Sequence, residues 1–242
     1  MVSETNKGKG LAPEEGLAGH RQRHDDRKVS TLIPAAGSGT RLGMGPKALL
    51  KLNGRPLITW LVEKLQAVSD EIIVSAPGDL LAEFAAHCPD CRLIQGGESR
   101  QESVARLFAA SRYEWILLSD AARPFATLDL YRKVLAKAYR TGVAGAFLQS
   151  DVPVAQLVNN EIKTTLPAHE AGLFQLPHAF CRAILDDCII MSQQKNWSAQ
   201  STLELALLAD YEVGVVPGEK NNIKITSALD LQIAKVLENY LK

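Results

Sequence analysis

A glycine-rich stretch with two basic residues carries the residue types that most suggest chemistry. Residues 32–54 read LIPAAGSGTRLGMGPKALLKLNG, and four glycines fall within residues 37–45. Because glycine has no Cβ, the backbone of such a loop can approach a ligand closely, and successive N–H groups can converge on an anion. Arg41 can bind phosphate oxygens through two donors, and Lys47 adds a compact positive charge. The stretch therefore predicts a cradle for a triphosphate.

Two better-known glycine loops do not match this spacing. The P-loop ends in Gly-Lys-Ser/Thr, whereas Pro46 precedes Lys47 here and Ala48 follows it. The dinucleotide fingerprint is GxGxxG, whereas the glycines of residues 37–43 are spaced GxGxxxG, with no clear acidic residue about 20 positions later. A plain glycine-rich turn with solvated charges stays open as the simplest alternative.

Four segments resemble, in order, the signature segments of one enzyme family. PAAGSGTRLG with PKALL is similar to the nucleotidyltransferase signature, and GGESRQESV (96–104), LLSDAARPF (117–125) and NNIKIT (221–226) are similar to cytidylyltransferase segments. Together they most resemble the 2-C-methyl-D-erythritol 4-phosphate cytidylyltransferase family of isoprenoid biosynthesis. The ribitol-5-phosphate cytidylyltransferases share most of these segments. A resemblance spread over four segments is more specific than any one of them.

The resemblance implies CTP as the nucleotide and a small phosphorylated polyol as the acceptor. It assigns CTP binding to Pro34, Ala35, Ala36, Gly37, Ser38, Gly39, Gly97, Arg100 and Ser103. It assigns stabilisation of the triphosphate and of the leaving pyrophosphate to Arg41, Lys47 and Lys224. It assigns acceptor binding to Asp120, Ala121, Arg123 and Asp151. Ser103 is also typical of a residue at the start of a helix, and that interpretation stays open.

The implied reaction needs little beyond alignment and positive charge. Its nucleophile is a phosphate oxygen that is already ionised at neutral pH, so no strong general base is required. Catalysis can come from orientation and from fixed cations around the transferring group. Mg²⁺ bridging the triphosphate oxygens would share that charge, and the sequence indicates no protein ligands for it.

The acceptor half departs from the family pattern. The family carries Asp-Thr and then a basic residue two positions on, but only Asp151 remains here, followed by Val-Pro-Val. A family arginine is replaced in the stretch PAHEAGLF, the family Thr-Pro-Gln reads Leu-Pro-His, and the family TDxxS segment has lost its aspartate. Lys163, His169 and His178 are candidate substitutes for the lost cation. Three interpretations follow: a divergent family enzyme, an enzyme for another phosphate or phosphonate acceptor such as ribitol 5-phosphate, or a CTP-binding protein without turnover.

Apolar strand patterns alternate with amphipathic helical patterns along the chain. The predicted strands are Thr31–Ala35, Glu71–Ala76, Arg92–Gln95, Trp115–Ser119, Val143–Gln149, Glu161–Thr165 and Glu212–Val216. The predicted helices are Ile58–Val68, Leu80–His87, Gln101–Ala110, Leu128–Arg140, Phe180–Met191, Ser201–Ala209 and Ala228–Leu241. This alternation predicts an α/β fold, a Rossmann-like three-layer sandwich with a mostly parallel sheet, similar to nucleotide-diphospho-sugar transferases. The glycine loop would then lie at the carboxyl end of the first strand, where such sheets bind ligands.

Residues 150–178 interrupt the alternation and predict a protruding β-arm. Asn159-Asn160 is a plausible turn between two short extended runs. The apolar residues of the arm are Val152, Val154, Leu157, Val158, Ile162 and Leu166. They need a partner surface, and a second subunit is the simplest one, so we expect a homodimer.

Composition bounds the remaining function classes. The 242 residues include 27 Lys and Arg and 27 Asp and Glu, so no global basic field recruits nucleic acid or an anionic membrane. The sequence contains no run of 18 apolar residues, so it predicts no membrane-spanning helix.

Residues 1–28 lack the apolar core of a secretion signal and are expected to be a disordered leader, leaving 29–242 as one domain. CPDC at 88–91 lacks a second pair for zinc, and free thiols fit the cytoplasm.

A GT-A-type glycosyltransferase would share the predicted architecture. Such enzymes usually carry a DxD metal motif after a strand. The nearest stretch here is DLY at 129–131, which lacks the second carboxylate. A non-catalytic nucleotide-binding or structural protein is the other alternative, and the presence of both Lys47 and Lys224 disfavours it, since buried or clustered cations without a ligand are costly.

Overall fold

Strands and helices alternate along most of the chain in the computed structural model, which describes residues 27–37 and 45–240. The strands are β1 (Val29–Pro34), β2 (Lys51–Leu52), β3 (Arg55–Pro56), β4 (Glu71–Ala76), β5 (Arg92–Gln95), β6 (Trp115–Leu118), β7 (Val143–Gln149), β8 (Val154–Val158), β9 (Glu161–Leu166), β10 (Gly172–Cys181) and β11 (Gly214–Pro217). The helices are α1 (Leu57–Leu65), α2 (Leu81–His87), α3 (Arg100–Ala110), α4 (Leu128–Thr141), α5 (Arg182–Gln194), α6 (Thr202–Leu208) and α7 (Ala228–Tyr240).

Seven strands form the central sheet in the order β11-β7-β10-β6-β1-β4-β5. Neighbouring strands are parallel except at β10, which runs antiparallel to both β6 and β7. β1, β4 and β6 are nearly continuous runs of buried residues, as expected for strands covered on both faces. The prediction of an α/β sandwich with a mostly parallel sheet is confirmed.

Two apolar layers cover the sheet, one on each face. Successive residues of β1 show the alternation: Ile33 packs with α1, α2 and α4, whereas Leu32 packs with α3, α5 and α6 on the other face. A third cluster joins Leu52 of β2 to Leu231 and Ala234 of α7. The long C-terminal helix is thereby fixed beside the segment that follows the glycine loop.

α4 shows how the sequence specifies these helices. Its buried residues are Leu130, Tyr131, Val134, Leu135 and Ala138. Their spacing places them on one helical face, toward β7, β10 and β11. The hydroxyl of Thr127 caps the helix by accepting from the Leu130 N–H at 3.1 Å, and the helix ends at Gly142, whose φ of +79° favours glycine.

β10 is the strand of the central sheet that the sequence analysis did not predict. The predicted helix over Phe180–Met191 is wrong at its start, because Phe180 and Cys181 belong to β10 and α5 begins at Arg182. Proline lacks an N–H, and Pro177 argues against a central strand. The strand tolerates it because the pairing with β7 shifts register between Gln175 and His178, which places the proline in an irregularity of the ladder.

The arm contains the predicted hairpin. β8 and β9 pair with each other, and every residue of the two strands is exposed. Asn159 and Asn160 connect them with φ of 51° and 64°, the left-handed conformation that asparagine tolerates in tight turns. The prediction of an Asn-Asn turn between two extended runs is confirmed.

The other predicted elements agree with the observed ones to within about three residues, and the two-residue strands β2 and β3 were not predicted. Within residues 27–37 and 45–240, no helix combines the length and the apolar character needed to cross a membrane. Most of the predicted leader, residues 1–26, lies outside the described residues, as do Ser38, Gly39 and Arg41 of the glycine loop.

Candidate active site

A cleft of about 200 Å³ lies at the carboxyl ends of β1 and β6 and beside the loop that follows β5. Its lining comes from five separate segments of the chain. It comprises Pro34, Ala35, Ala36, Gly37, Lys47, Ala48, Gly97, Glu98, Ser99, Arg100, Ser103, Asp120, Ala121, Ala122 and Lys224. The cleft therefore brings together all but two of the described residues that the sequence analysis assigned to the site. Glu98, Ser99, Ala48 and Ala122 are additional lining residues, each adjacent to a predicted one.

Backbone contacts fix the exit of β1 against the neighbouring segment. The Ala35 N–H donates to the Ser75 carbonyl at 2.9 Å, which extends the pairing of β1 with β4 beyond the strand end. A Cβ on Gly96 would lie 2.2 Å from the Ala36 Cβ, so only glycine allows these two loops to approach so closely. The first two resembling segments are thus packed into one wall of the cleft.

The start of α3 forms the second part of that wall. Ser99 caps the helix by accepting from the Glu102 N–H at 3.0 Å. The Ser103 hydroxyl donates to the Ser99 carbonyl at 2.9 Å and accepts from the Gly97 N–H at 3.0 Å. Ser103 therefore has a structural part in the helix start and also lines the cleft, so both interpretations of this residue stay open. Since Arg100 is the first residue of α3, the positive end of the helix dipole faces the same space.

Asp120 and Lys224 form an ion pair across the cleft. The Lys224 Nζ lies 3.0 Å from Asp120 Oδ2, and Asp120 Oδ1 accepts from the Ala122 N–H at 2.9 Å. Burial alone would raise the pKa of Asp120, but the charge of Lys224 and the Ala122 N–H outweigh it, so the pKa lies below its ordinary value. Asp120 is therefore a carboxylate at neutral pH and holds an ammonium group at the cleft.

Arg123 and Asp151 are the two described candidates that do not line the cleft. The Arg123 Nη1 donates to the Asn222 carbonyl at 2.6 Å and thereby joins the loop after β6 to the segment that carries Lys224. Asp151 pairs with Lys220 at 2.9 Å beside a separate groove at the base of the arm. Their assignment to the acceptor stays a prediction.

His178 cannot replace the cation that the arm lacks. The side chain is buried in β10, where burial and the nearby Arg100 charge lower its pKa to about 3. The imidazole is therefore neutral at physiological pH, and its suggested role as a cationic partner is wrong. His169 and Lys163 are exposed on the arm, and His169 lies 3.4 Å from Glu170.

Two polar side chains that fix segments next to the cleft were not anticipated, half-buried Lys64 and buried Gln175. Lys64 of α1 donates to the carbonyls of Pro124 and Ala126 at 2.6 and 2.7 Å, and burial lowers its pKa against the opposing charge of Glu219. Gln175 of β10 bonds to the segment before Lys224. No spacing in the sequence could reveal either contact, because each joins residues more than 40 positions apart to a main chain without regular structure.

A cleft lined by loop residues and by Lys47, Arg100 and Lys224 at the strand ends of an open α/β sheet is typical of a site for a phosphorylated ligand such as a nucleotide. The chain can also be compared with known proteins. A family model described as 2-C-methyl-D-erythritol 4-phosphate cytidylyltransferase matches residues 29–239. The chain belongs to this nucleotidyltransferase family.

Individual relatives agree with the family match. The protein of that name from Thermus thermophilus is 34% identical over 215 residues, which cover 87% of this chain and 97% of the relative. The one from Deinococcus radiodurans is 32% identical over 214 residues, covering 88% and 91%. The crystal structure of the Thermus thermophilus protein superposes with a TM-score of 0.75 at 31% identity, covering 88% of this chain and 99% of that one.

Proposed function

We propose that this protein transfers CMP from CTP to 2-C-methyl-D-erythritol 4-phosphate and releases pyrophosphate, a step of isoprenoid biosynthesis. Membership of the family over residues 29–239 supports this function. The observation that carries the proposal is the cleft that gathers Lys47, Arg100 and Lys224 around residues 34–37 at the end of β1. Cations from distant segments repel one another, and a bound polyanion offsets that repulsion.

The reaction is an in-line displacement at phosphorus. An oxygen of the acceptor phosphate forms a new P–O bond to the α-phosphorus, while the bond from that phosphorus to the bridging oxygen breaks and its electron pair leaves on pyrophosphate. Lys47 and Arg41 stabilise the triphosphate and the leaving group, and Lys224 stabilises the charge at the α-phosphate. Asp120 orients Lys224 through the 3.0 Å ion pair.

The remaining candidates divide between the two substrates. We assign the nucleotide to Pro34, Ala35, Ala36, Gly37, Ser38, Gly39, Gly97, Arg100 and Ser103. We assign the acceptor to Asp120, Ala121, Arg123 and Asp151. The short distance between the loop after β1 and the start of α3 supports the first set, since both would contact one nucleotide.

Mg²⁺ is part of the proposal as a companion of the triphosphate. No three His, Cys, Asp or Glu side chains come together in the described part of the chain, so we expect triphosphate oxygens to supply most ligands. Asp120 and Glu98 are the carboxylates that line the cleft. When bound, the cation supplies positive charge to the triphosphate oxygens.

We also propose a homodimer joined through the arm, a cytoplasmic location, and no nucleic-acid or membrane partner. The exposed apolar side chains of the arm support the dimer, with Leu157 67% and Ile162 68% exposed. All four cysteines are free thiols, which supports a reducing compartment. The balanced charge supports the absence of a polyanionic partner.

A different acceptor is the alternative that a specific observation favours. No arginine occurs between Thr141 and Cys181, and His178 is neutral, so Lys163 is the one permanent cation of that stretch. An altered acceptor site would suit another phosphate or phosphonate acceptor such as ribitol 5-phosphate, and a weakened one would suit CTP binding without turnover.

Pyrophosphate release with a panel of substrates tests the function. The protein is incubated with Mg²⁺, each of the four nucleoside triphosphates, and methylerythritol phosphate, ribitol 5-phosphate or a phosphonate analogue. We expect release with CTP and methylerythritol phosphate, at a specificity constant at least tenfold above every other pair. Faster pyrophosphate release with another acceptor would show that this other compound is the substrate. CTP binding without pyrophosphate release would overturn the transferase function.

A further inference from the structure

The segment that carries Lys224 has no regular secondary structure of its own. Residues 218–227 connect β11 to α7 as turns and irregular chain. A cation must be held accurately to act on a transition state, because misplacement of about 1 Å can cost a hundredfold in rate. Contacts from outside the segment must therefore fix its position.

Gln175 supplies the contacts that enter this segment from β10. Its Oε1 accepts from the Glu219 N–H at 3.0 Å, and its Nε2 donates to the Glu219 carbonyl at 3.0 Å and to the Asn222 carbonyl at 3.3 Å. The amide thus pairs with both backbone groups of Glu219, as a neighbouring strand would. Gln175 is 5% exposed, so these bonds are protected from water.

Asn222 extends the same connection toward Lys224. It is fully buried, and its Nδ2 donates to the Leu176 carbonyl at 2.7 Å. Its carbonyl also accepts from Arg123 Nη1, which comes from the loop that bears Asp120. On the far side of Lys224, the Ile225 N–H donates to the Ala122 carbonyl at 2.8 Å. Lys224 is therefore bracketed on both sides within two residues.

The side-chain amide of Gln175 packs tightly and has no space for another position. A Cβ on Gly218 would lie 2.4 Å from Gln175 Oε1, so the side chain rests directly on the backbone there. Gln175 does not line the cleft, and its hydrogen bonds go to the Lys224 segment.

We propose that Gln175 is a positioning residue for the transferase reaction, which sets the place of Lys224 by pairing its side-chain amide with the main chain of Glu219 and Asn222. This inference rests on the proposed function. It predicts that loss of the amide acts on turnover through Lys224 and leaves binding of CTP by the opposite wall of the cleft largely unchanged.

A double-mutant cycle tests this proposal. We expect Gln175→Met to lower kcat by about 10- to 100-fold, with KM for CTP changed less than about threefold. The variant removes the contacts that fix the position of Lys224 but leaves every charged side chain of the cleft in the chain. In a Lys224→Ala background, the same substitution should change kcat less than twofold. Equal losses in both backgrounds, or an unchanged kcat in the single variant, would overturn the proposal.

Arg182→Met is the matched control. Arg182 is a polar side chain that also fixes an irregular segment, through Tyr113 O at 2.8 Å and Ser111 Oγ at 2.7 Å, but at the opposite edge of the sheet. The Arg182→Met variant should lower thermal stability and leave kcat of the folded protein unchanged. Should Gln175→Met fail to fold, Gln175→Glu enters the same cycle, because its carboxylate keeps the bond from the Glu219 N–H.

A spectroscopic readout separates this inference from the function on which it rests. In protein with isotope-labelled lysine, the side-chain NMR signal of Lys224, assigned from its loss in Lys224→Ala, should shift in Gln175→Met and stay in place in Arg182→Met. An unshifted signal would contradict the positioning role even in an active enzyme. A shift in a protein without turnover would support it while the proposed function fails.

Discussion

Lys47 illustrates how much of the account depends on single charges. It lies in the short turn Lys47–Leu49, directly after the glycine loop, and its side chain lines the cleft. The sequence already indicated this residue, since a lysine directly after the glycine-rich loop can add positive charge to a triphosphate cradle. The structure adds that Lys47 lines the same cleft as Arg100 and Lys224, although these two residues lie 53 and 177 positions further along the chain.

Lys47→Ala should abolish most turnover while the fold stays intact. Removing one preorganised cation from a phosphoryl-transfer site costs about 2–4 kcal/mol in the transition state, or about 30- to 1,000-fold in kcat. Steady-state pyrophosphate release and a thermal melt measure the two effects. Lys51→Ala is the control, because Lys51 is exposed on β2 only four residues away. A Lys47 variant with a near-normal rate would refute its role.

At the scale of elements, the two edges of the sheet have different tasks. The cleft lies at the carboxyl ends of the parallel strands. At their amino ends, Glu71 at the start of β4 holds neighbouring segments together. That carboxylate accepts from Ser30 Oγ at 2.5 Å, from the Arg112 N–H at 2.7 Å and from Arg112 Nε at 3.0 Å. Burial would raise the pKa of Glu71, but these hydrogen bonds together lower it below its ordinary value.

Glu71→Gln should destabilise the protein in a pH-dependent way. Because the folded pKa is depressed, the carboxylate contributes stability above its unfolded pKa of about 4.3, and this contribution disappears as the pH falls through the folded value. We expect a loss of about 1 kcal/mol at pH 7 that shrinks below about pH 4. Urea denaturation of both proteins from pH 3 to 7 measures the difference. A gap that stays constant across this range would contradict the assignment.

The arm gives the second prediction at this scale. If β8 and β9 join two subunits, Leu157→Glu combined with Ile162→Glu should convert a dimer into a monomer at micromolar concentration, since charges would replace the apolar contact. Sedimentation velocity measures the change. Leu229→Glu is the matched control, because Leu229 on α7 is 68% exposed, as is Ile162. A monomeric wild-type protein would remove the arm's proposed role.

For the whole molecule, local patterns predicted most of the architecture, and the resemblance of four segments to a known family predicted most of the residues that line the cleft. Apolar runs such as Trp115–Leu118 are recognisable because both faces of the sheet are covered, and the glycine loop is recognisable because its glycines are accompanied by Arg41 and Lys47. β10 was missed because its place between β6 and β7 depends on long-range pairing, and because Pro177 conceals it. Gln175 was missed for a related reason: its amide bonds main-chain groups 44 and 47 positions away, which no local pattern encodes.

The central claim is that the cleft at the end of β1 transfers CMP from CTP. ³¹P NMR of one reaction mixture tests it most directly, with the wild-type protein, CTP, Mg²⁺ and methylerythritol phosphate. We predict that the acceptor phosphate signal is replaced by the paired signals of a diphosphate diester, with one pyrophosphate per product, and that the Lys47→Ala protein shows neither. Unchanged CTP and acceptor signals with the folded wild-type protein would contradict the account.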